Sequence, residues 1–174
     1  IQPLSEYVEV LRGHSAFLHV DAAQSFGKLI EPLKDRRIDL ISASGHKIYA
    51  PKGVGVLLAR CRDYNEPPLE PLMYGGGQEK GLRPGTLPVH LIAALGESVR
   101  LASKDHARRL SSCAAIKAEA MRKLTEAGGV VNGASDAAIA STLAYNYYFT
   151  APYRTFLINS PADVVTVVIL LLVA

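Results

Sequence analysis

Lys47 stands in the stretch Ser42 to Gly55, "SASGHKIYAPKGVG", where an imidazole and an amine follow a short apolar run and glycines and a proline come next. Upstream, "FLHVDAAQ" is another compact apolar run; it reaches Asp21, with Gln24 three residues on. In a parallel α/β sheet, ligands bind beyond the carboxyl ends of the strands. If the two runs are near-neighbour strands, an acid (Asp21), an amide (Gln24), a hydroxyl (Ser44), an imidazole (His46) and an amine (Lys47) converge on one crevice. An acid and a lysine in one water-poor pocket suit a cofactor whose aldehyde must be trapped and whose ring nitrogen must stay protonated. Pyridoxal phosphate has that chemistry: a lysine holds it as a Schiff base and an Asp or Arg partners the ring nitrogen. The same residues have plainer readings. Lys47 could be a solvated charge at a strand end, Asp21 a helix N-cap, His46 a packing residue under the lysine, and His19 a satisfied core histidine.

The elements that must position these groups are legible in the pattern. "IQPLSEYVEVLRGHSA" places Leu4, Tyr7, Val8 and Leu11 on one helical face, with Gly13 as a stop. "FLHVDAAQ", "RIDLISASG" and "GVGVLLAR" read as three strands of the kind buried in a parallel sheet. Helix, strand, connection and strand in this order predict an α/β domain, with a mainly parallel sheet and flanking helices. The Pro- and Gly-rich loop "CRDYNEPPLEPLMYGGGQEKGLRPGT" is long enough to call for a function. Its "GGG" lacks the "GK[ST]" ending of a P-loop and reads as hinge or arm. From Val89 to Ala127 the apolar positions predict two consecutive helices, broken near Ser103 to Asp105. "STLAYNYYF" reads as a further strand opening a smaller α+β subdomain. The expected divisions are 1–103 for the large domain, 104–150 for the start of the C-terminal subdomain, and 151–174 for an apolar tail.

Composition narrows the classes. The chain has 174 residues, 49% of them apolar and 20% charged, which suits a globular domain with a sizeable core. A net charge of +3, with basic and acidic residues intermixed and no interleaved aromatics, argues against a nucleic-acid partner. The two cysteines, Cys61 and Cys113, have neither metal-type nor redox-type spacing. A reducing compartment is therefore expected, either cytoplasm or an organelle with a reducing interior. No metal is expected. Residues 127–174 carry only Asp136, Arg154 and Asp163, and the chain closes on "VVTVVILLLVA". That run is shorter than the ~20 residues of a spanning helix, so a buried strand or core helix is expected and no membrane partner; a truncated or frame-shifted end is the alternative. The chain starts on Ile1 without a methionine or a secretory or transit segment, which leads to the expectation of a processed protein or a fragment.

Three motifs in order, "HVDAAQSFGK", "DLISASGHKIYAPKGVGVLLAR" and "GGGQEKGLRPGTLPVHLIAALGES", closely resemble the class V aminotransferase group of pyridoxal-phosphate enzymes, and within it the cysteine desulfurases. The likeness runs from Ile1 to Val99 and more loosely to Phe149. The resemblance implies the large domain of a fold-type I pyridoxal-phosphate transferase. It implies Lys47 as the Schiff-base lysine, Asp21 as partner of the pyridine nitrogen, Gln24 as partner of the ring hydroxyl, and Ser44 and His46 as phosphate ligands. It implies that Thr86 reaches the phosphate of the neighbouring subunit in a homodimer, so that the Gly/Pro loop is an arm completing the partner's site. The implied reaction converts L-cysteine to L-alanine and passes sulfur, through a possible acceptor protein, to iron–sulfur clusters, thionucleosides or cofactors.

The pattern is incomplete. A desulfurase needs a nucleophilic thiolate, and nothing here matches the family's cysteine loop; Cys61, just past a strand, and Cys113, on a helical stripe, read as structural. The cofactor-stacking histidine, the small-residue phosphate segment and the substrate-carboxylate arginine have no match either; Arg154 does not sit in such surroundings. Two alternatives stay open: another class V aminotransferase or lyase that needs no thiol, and a non-catalytic remnant.

Overall fold

The computed structural model describes residues 2–62, 64–131, 142–147 and 165–170, the last two as backbone strands. They fall into two compact units, residues 2–106 and a second starting at Ala107.

The first unit contains Leu4–Val10 (α1), His19–Asp21 (β1), Leu40–Ser44 (β2), Gly55–Ala59 (β3) and Val89–Lys104 (α2). Single 3-10 turns lie at Glu31–Lys34, Gly45–Ile48 and Glu79–Gly81. β1 and β2 pair in parallel, with Asp21 opposite Ser42. Strand alternation divides the faces. Val20 and Ile41 look toward a core of Val8, Ala22, Leu33 and Ile38, with Leu4, Leu18 and Phe26 packed around it. His19, Asp21, Ser42 and Ser44 therefore share the other face. His19 is exposed there, its Nε2 3.2 Å from Ser42 Oγ, so it is not the core histidine expected from its place in an apolar run.

The described sheet is mixed: β3 runs antiparallel to β2, with Ser44 opposite Gly55. Ten residues separate Ser44 from Gly55. A parallel return needs a crossover of about a dozen or more residues, whereas an antiparallel return needs far fewer. Only β2 is largely buried; β1 and β3 are mostly exposed edges.

One buried ion cluster pins this sheet at its base. Asp39, just before β2, accepts from Arg37 Nη1 at 2.9 Å, from Arg62 Nε at 2.5 Å and Nη2 at 2.7 Å, and from the Leu18 N–H at 2.7 Å. The Arg37 and Asp39 side chains are only 8% and 2% exposed, so neither charge has bulk water as an alternative partner. The remaining guanidinium donors go to backbone carbonyls. Arg37 donates to Leu11 and Ala16, each at 2.6 Å, and Arg62 to Ser15 and Ala16 at 3.0 and 2.8 Å. The Arg62 guanidinium also lies over the Phe17 ring, 4.5 Å from its centroid. Arg60 adds bonds to the Leu33 and Asp35 carbonyls. The chain before β1, the start of β2 and the chain after β3 thus meet on one carboxylate.

The second unit contains His106–Glu126 (α3, whose first residue belongs to the first unit), Gly129–Val131 (β4), Thr142–Tyr147 (β5) and Val165–Leu170 (β6). Its three strands form an antiparallel sheet in the order β4-β5-β6. The break between α2 and α3 falls at Asp105, whose N–H donates to the Leu101 carbonyl. Part of the apolar end is the strand β6; the rest of 151–174 lies outside the described residues. Among the described residues no helix is long and apolar enough to cross a membrane.

Burial pushes the Asp39 carboxyl up, but hydrogen bonds from Arg62 and the Leu18 amide, with the charges of Arg62 and Arg37, outweigh it and hold the group below its ordinary value. Its contribution is therefore complete above the ordinary carboxylate range and is lost as pH falls through the lowered value. Asp39→Ala should cost about 3–5 kcal/mol at neutral pH, because it leaves two arginines without their anion. Urea unfolding across an acid series checks this: the wild-type advantage should shrink as the pH drops.

Candidate functional site

The site is built where β1 and β2 end side by side. Beyond β1, the Ala22 N–H donates to the Ser42 carbonyl at 2.9 Å, and the Ala23 N–H donates to Asp21 Oδ1 at 2.9 Å. Asp21 thus closes its own turn with one oxygen, as short polar side chains do after strands, and its Oδ2 makes no hydrogen bond among the described residues. The chain then winds through Ala22–Leu29, with Phe26 N–H bonded to Ala22 O and Leu29 N–H to Ser25 O, both at 2.8 Å. Gln24 is exposed on this winding.

Beyond β2, the 3-10 turn Gly45–Ile48 carries His46, exposed, and Lys47, half-buried. The backbone closes tightly on Gly45. Its N–H donates to Val54 O at 3.0 Å, and its carbonyl accepts from the N–H groups of Tyr49 and of Ala50, the latter at 3.1 Å. A β-carbon on Gly45 would lie 2.9 Å from Val54 O and 3.1 Å from Ala50 Cβ, so only glycine lets β3 return so near the lysine. Tyr49 ends the turn at φ 71, a left-handed conformation unusual for a bulky side chain and of the kind found where surrounding contacts over-determine the backbone. The Lys47 amine makes no hydrogen bond or ion pair among the described residues.

Asp21, Gln24, Ser44, His46 and Lys47 are thus gathered at adjacent strand ends, with Ser42 and His19 on the same sheet face. Thr86 lies on a different segment, the loop before α2. It is exposed and follows Gly85, whose N–H donates to Gln78 Oε1 at 2.9 Å; no hydrogen bond joins it to the Lys47 group among the described residues. The "GGG" segment serves this same loop. A β-carbon on Gly75 would meet Pro84 Cβ at 2.8 Å, and one on Gly76 the Gln78 side chain at 2.8 Å. Cys61 is exposed, which is not what a packing role predicts, and Cys113 is half-buried on α3. No group of three or more metal-binding side chains gathers among the described residues. The reading of the sequence missed Asp39 and its arginines; an aspartate inside a buried apolar run is the signal that marks them.

The family model for class V aminotransferases matches residues 1–162. The chain belongs to the class V aminotransferase family. The match extends past Phe149, where the resemblance in the sequence fades. Among curated relatives, the cysteine desulfurase IscS of Actinobacillus succinogenes is 38% identical over 150 residues, which is 84% of this chain and 37% of that enzyme. Among solved structures, DndA from Streptomyces lividans superposes with a TM-score of 0.79 at 44% identity over 84% of this chain and 41% of that one. A structure described as SspA in complex with cysteine superposes with a TM-score of 0.60 at 34% identity, covering 85% of this chain and 40% of that one. The chain therefore spans well under half the length of these class V relatives. The fold is the α/β arrangement of the fold-type I enzymes, with a mixed sheet and helices. The class V family and its cysteine desulfurases depend on pyridoxal 5'-phosphate.

Gly45→Ala should destabilise the chain by about 1–3 kcal/mol, the cost of overpacking a filled site. Gly96→Ala, in α2 with nothing within 4 Å of the added carbon, should instead stabilise it, by roughly 0.5–1 kcal/mol. Denaturation midpoints of the two variants should move in opposite directions.

Proposed function

We propose that this chain holds the cofactor-tethering part of a pyridoxal-phosphate-dependent cysteine desulfurase. The observation that carries the proposal is the parallel pairing of β1 with β2, which brings Asp21 and the Lys47 turn to neighbouring strand ends. The donor set fits the cofactor. An amine with no partner among the described residues is available to an aldehyde, a carboxylate oxygen not used by its own turn is available to a ring N–H, and hydroxyl and imidazole groups stand ready for a phosphate.

In this reading Lys47 holds the aldehyde carbon, Asp21 accepts from the ring nitrogen, Gln24 meets the ring hydroxyl, and Ser44 and His46 bind the phosphate. Thr86 reaches the phosphate bound by a second copy in a homodimer. When bound, the cofactor supplies an electron sink for the substrate's α-carbon. Asp21, as an anion, keeps the ring nitrogen protonated. With the cofactor bound, the Lys47 amine would be placed to move the substrate's α-proton as a general base. The substrate is L-cysteine, in line with the cysteine held by the SspA neighbour and the names of the relatives. A desulfurase would need a thiolate, which none of the turns around Lys47 carries, to form a bond to the sulfur as the substrate's C–S bond breaks, and to pass it on toward iron–sulfur clusters, thionucleosides or cofactors.

Cys61 and Cys113 are the sequence's two cysteines; Cys61 opens the loop that ends at Thr86, and neither lies on the turns that carry Asp21, Gln24, Ser44, His46 and Lys47. That observation favours a second reading, a class V aminotransferase or lyase that needs no thiol. Alanine and sulfide from L-cysteine support the first; turnover of other amino acids, with none from cysteine, supports the second.

The test of the site is direct. The full chain incubated with pyridoxal phosphate and then borohydride should carry a reduced adduct on Lys47 by peptide mapping. Lys47→Ala should abolish it, and Asp21→Ala should lower any turnover by roughly 10²–10³-fold, as loss of a preorganised electrostatic partner does. A folded chain that takes up no cofactor would sink both readings.

A further inference from the structure

We infer that Ile48 is a positioning residue for Lys47: through the backbone of Gly27 it locks the amine-bearing turn to the acid-bearing turn. The inference rests on the functional reading above. Gly27 lies on the winding after Asp21 at φ +73, and a β-carbon there would stand 2.9 Å from Ile48 Cγ2 and 3.4 Å from Ala102 Cβ. The branch methyl of Ile48 and the methyl of Ala102 thus close over the Gly27 backbone. Ile48 is 3% and Ala102 5% exposed, so the two side chains that meet Gly27 are shut off from water. His106 Nε2, 3.0 Å from Lys28 O, ties the same winding to the residues just past α2.

Three elements meet at this point: the turn after β1, the turn after β2 and the C-terminal part of α2. Ile48 follows Lys47 directly, so its backbone torsions help set where the amine stands. Branching at Cβ restricts its χ1, so a contact at Cγ2 reaches the backbone with little slack. Asp21 and Lys47, by contrast, share no hydrogen bond or ion pair. Beyond the pairing of β1 with β2, their separation is set by hydrocarbon contact rather than by their own attraction, and both polar groups stay available to a third molecule.

The contrast between branching and volume tests this. Ile48→Val keeps Cγ2 and loses bulk; Ile48→Leu keeps bulk and loses Cγ2. Reductive trapping of pyridoxal phosphate on Lys47 should slow about fivefold or more in the leucine variant, the size of a coupling between touching residues. It should change by no more than about twofold in the valine variant, as for a small trimming of a core side chain. In the cofactor-free chain, acetylation of Lys47 by acetic anhydride, measured against exposed Lys52, should change for leucine and not for valine. Equal effects, or leucine tolerated and valine impaired, would show that Ile48 only fills space and would overturn the inference. Failure of the unsubstituted chain to form the adduct would instead reject the functional reading, while the acetylation contrast would still report on the junction. Should the leucine variant not fold, Ile48→Met, equally unbranched and more adaptable, takes its place under the same criteria.

Discussion

The carboxylate of Asp39 is the constraint on which the first unit depends. It receives two arginines and a backbone amide while almost wholly removed from water, and those arginines spend their other donors on carbonyls of the chain that leads into β1. A buried charge so placed tolerates little displacement, because any shift leaves a desolvated ion without its partners. β2 begins one residue later, so the position and register of the central strand follow from this contact. The lysine turn lies at the far end of the same strand, five residues on, and a slip of one residue would carry Ser42 and Ser44 to the core face.

The two ends of β2 are held by different physics. At its base the chain is fixed by charge and directional donors; at the site end it is fixed by close approach. Gly45 against Val54 and Gly27 beneath Ile48 leave no room for a side-chain carbon, so the backbones themselves make the contact. Under the proposed function this division has a chemical use. Polar groups at the lysine turn are largely released from structural duty, which is what a site needs if its amine and its carboxylate are to meet a ligand rather than each other. Tyr49, in its left-handed conformation directly after the lysine turn, shows that the surrounding contacts outweigh the backbone's own preference there.

Much of this was legible in the residues. The runs that become β1, β2 and β3, the helices α1, α2 and α3, and the break near Asp105 follow from apolar spacing alone, since that spacing answers to local geometry. The class V assignment follows from three ordered motifs. What spacing could not show was pairing direction. A short apolar run looks the same in a parallel or an antiparallel sheet, and only the ten-residue return between Ser44 and Gly55 carried the answer. His19 was misplaced for a related reason: two-residue alternation tells which residues share a face, not which face the core covers. The Asp39 cluster draws on residues 11 to 62, and that kind of long-range convergence leaves no periodic trace. The motif spacing around Lys47 marked the amine, but Ile48 and Gly27 matter through an atomic distance that no pattern encodes.

The loop from Gly75 to Thr86 is folded back on itself before anything binds it. Pro84 sits where a side chain on Gly75 would stand, Gln78 holds the Gly85 amide, and an ion pair between Lys80 and Glu66 closes the base, while Leu72, Met73 and Tyr74 remain uncovered. These ties restrict the segment from Gly75 to Gly85. A loop tied at these points has less freedom to lose than a slack one, so a contact made through it keeps more of its energy.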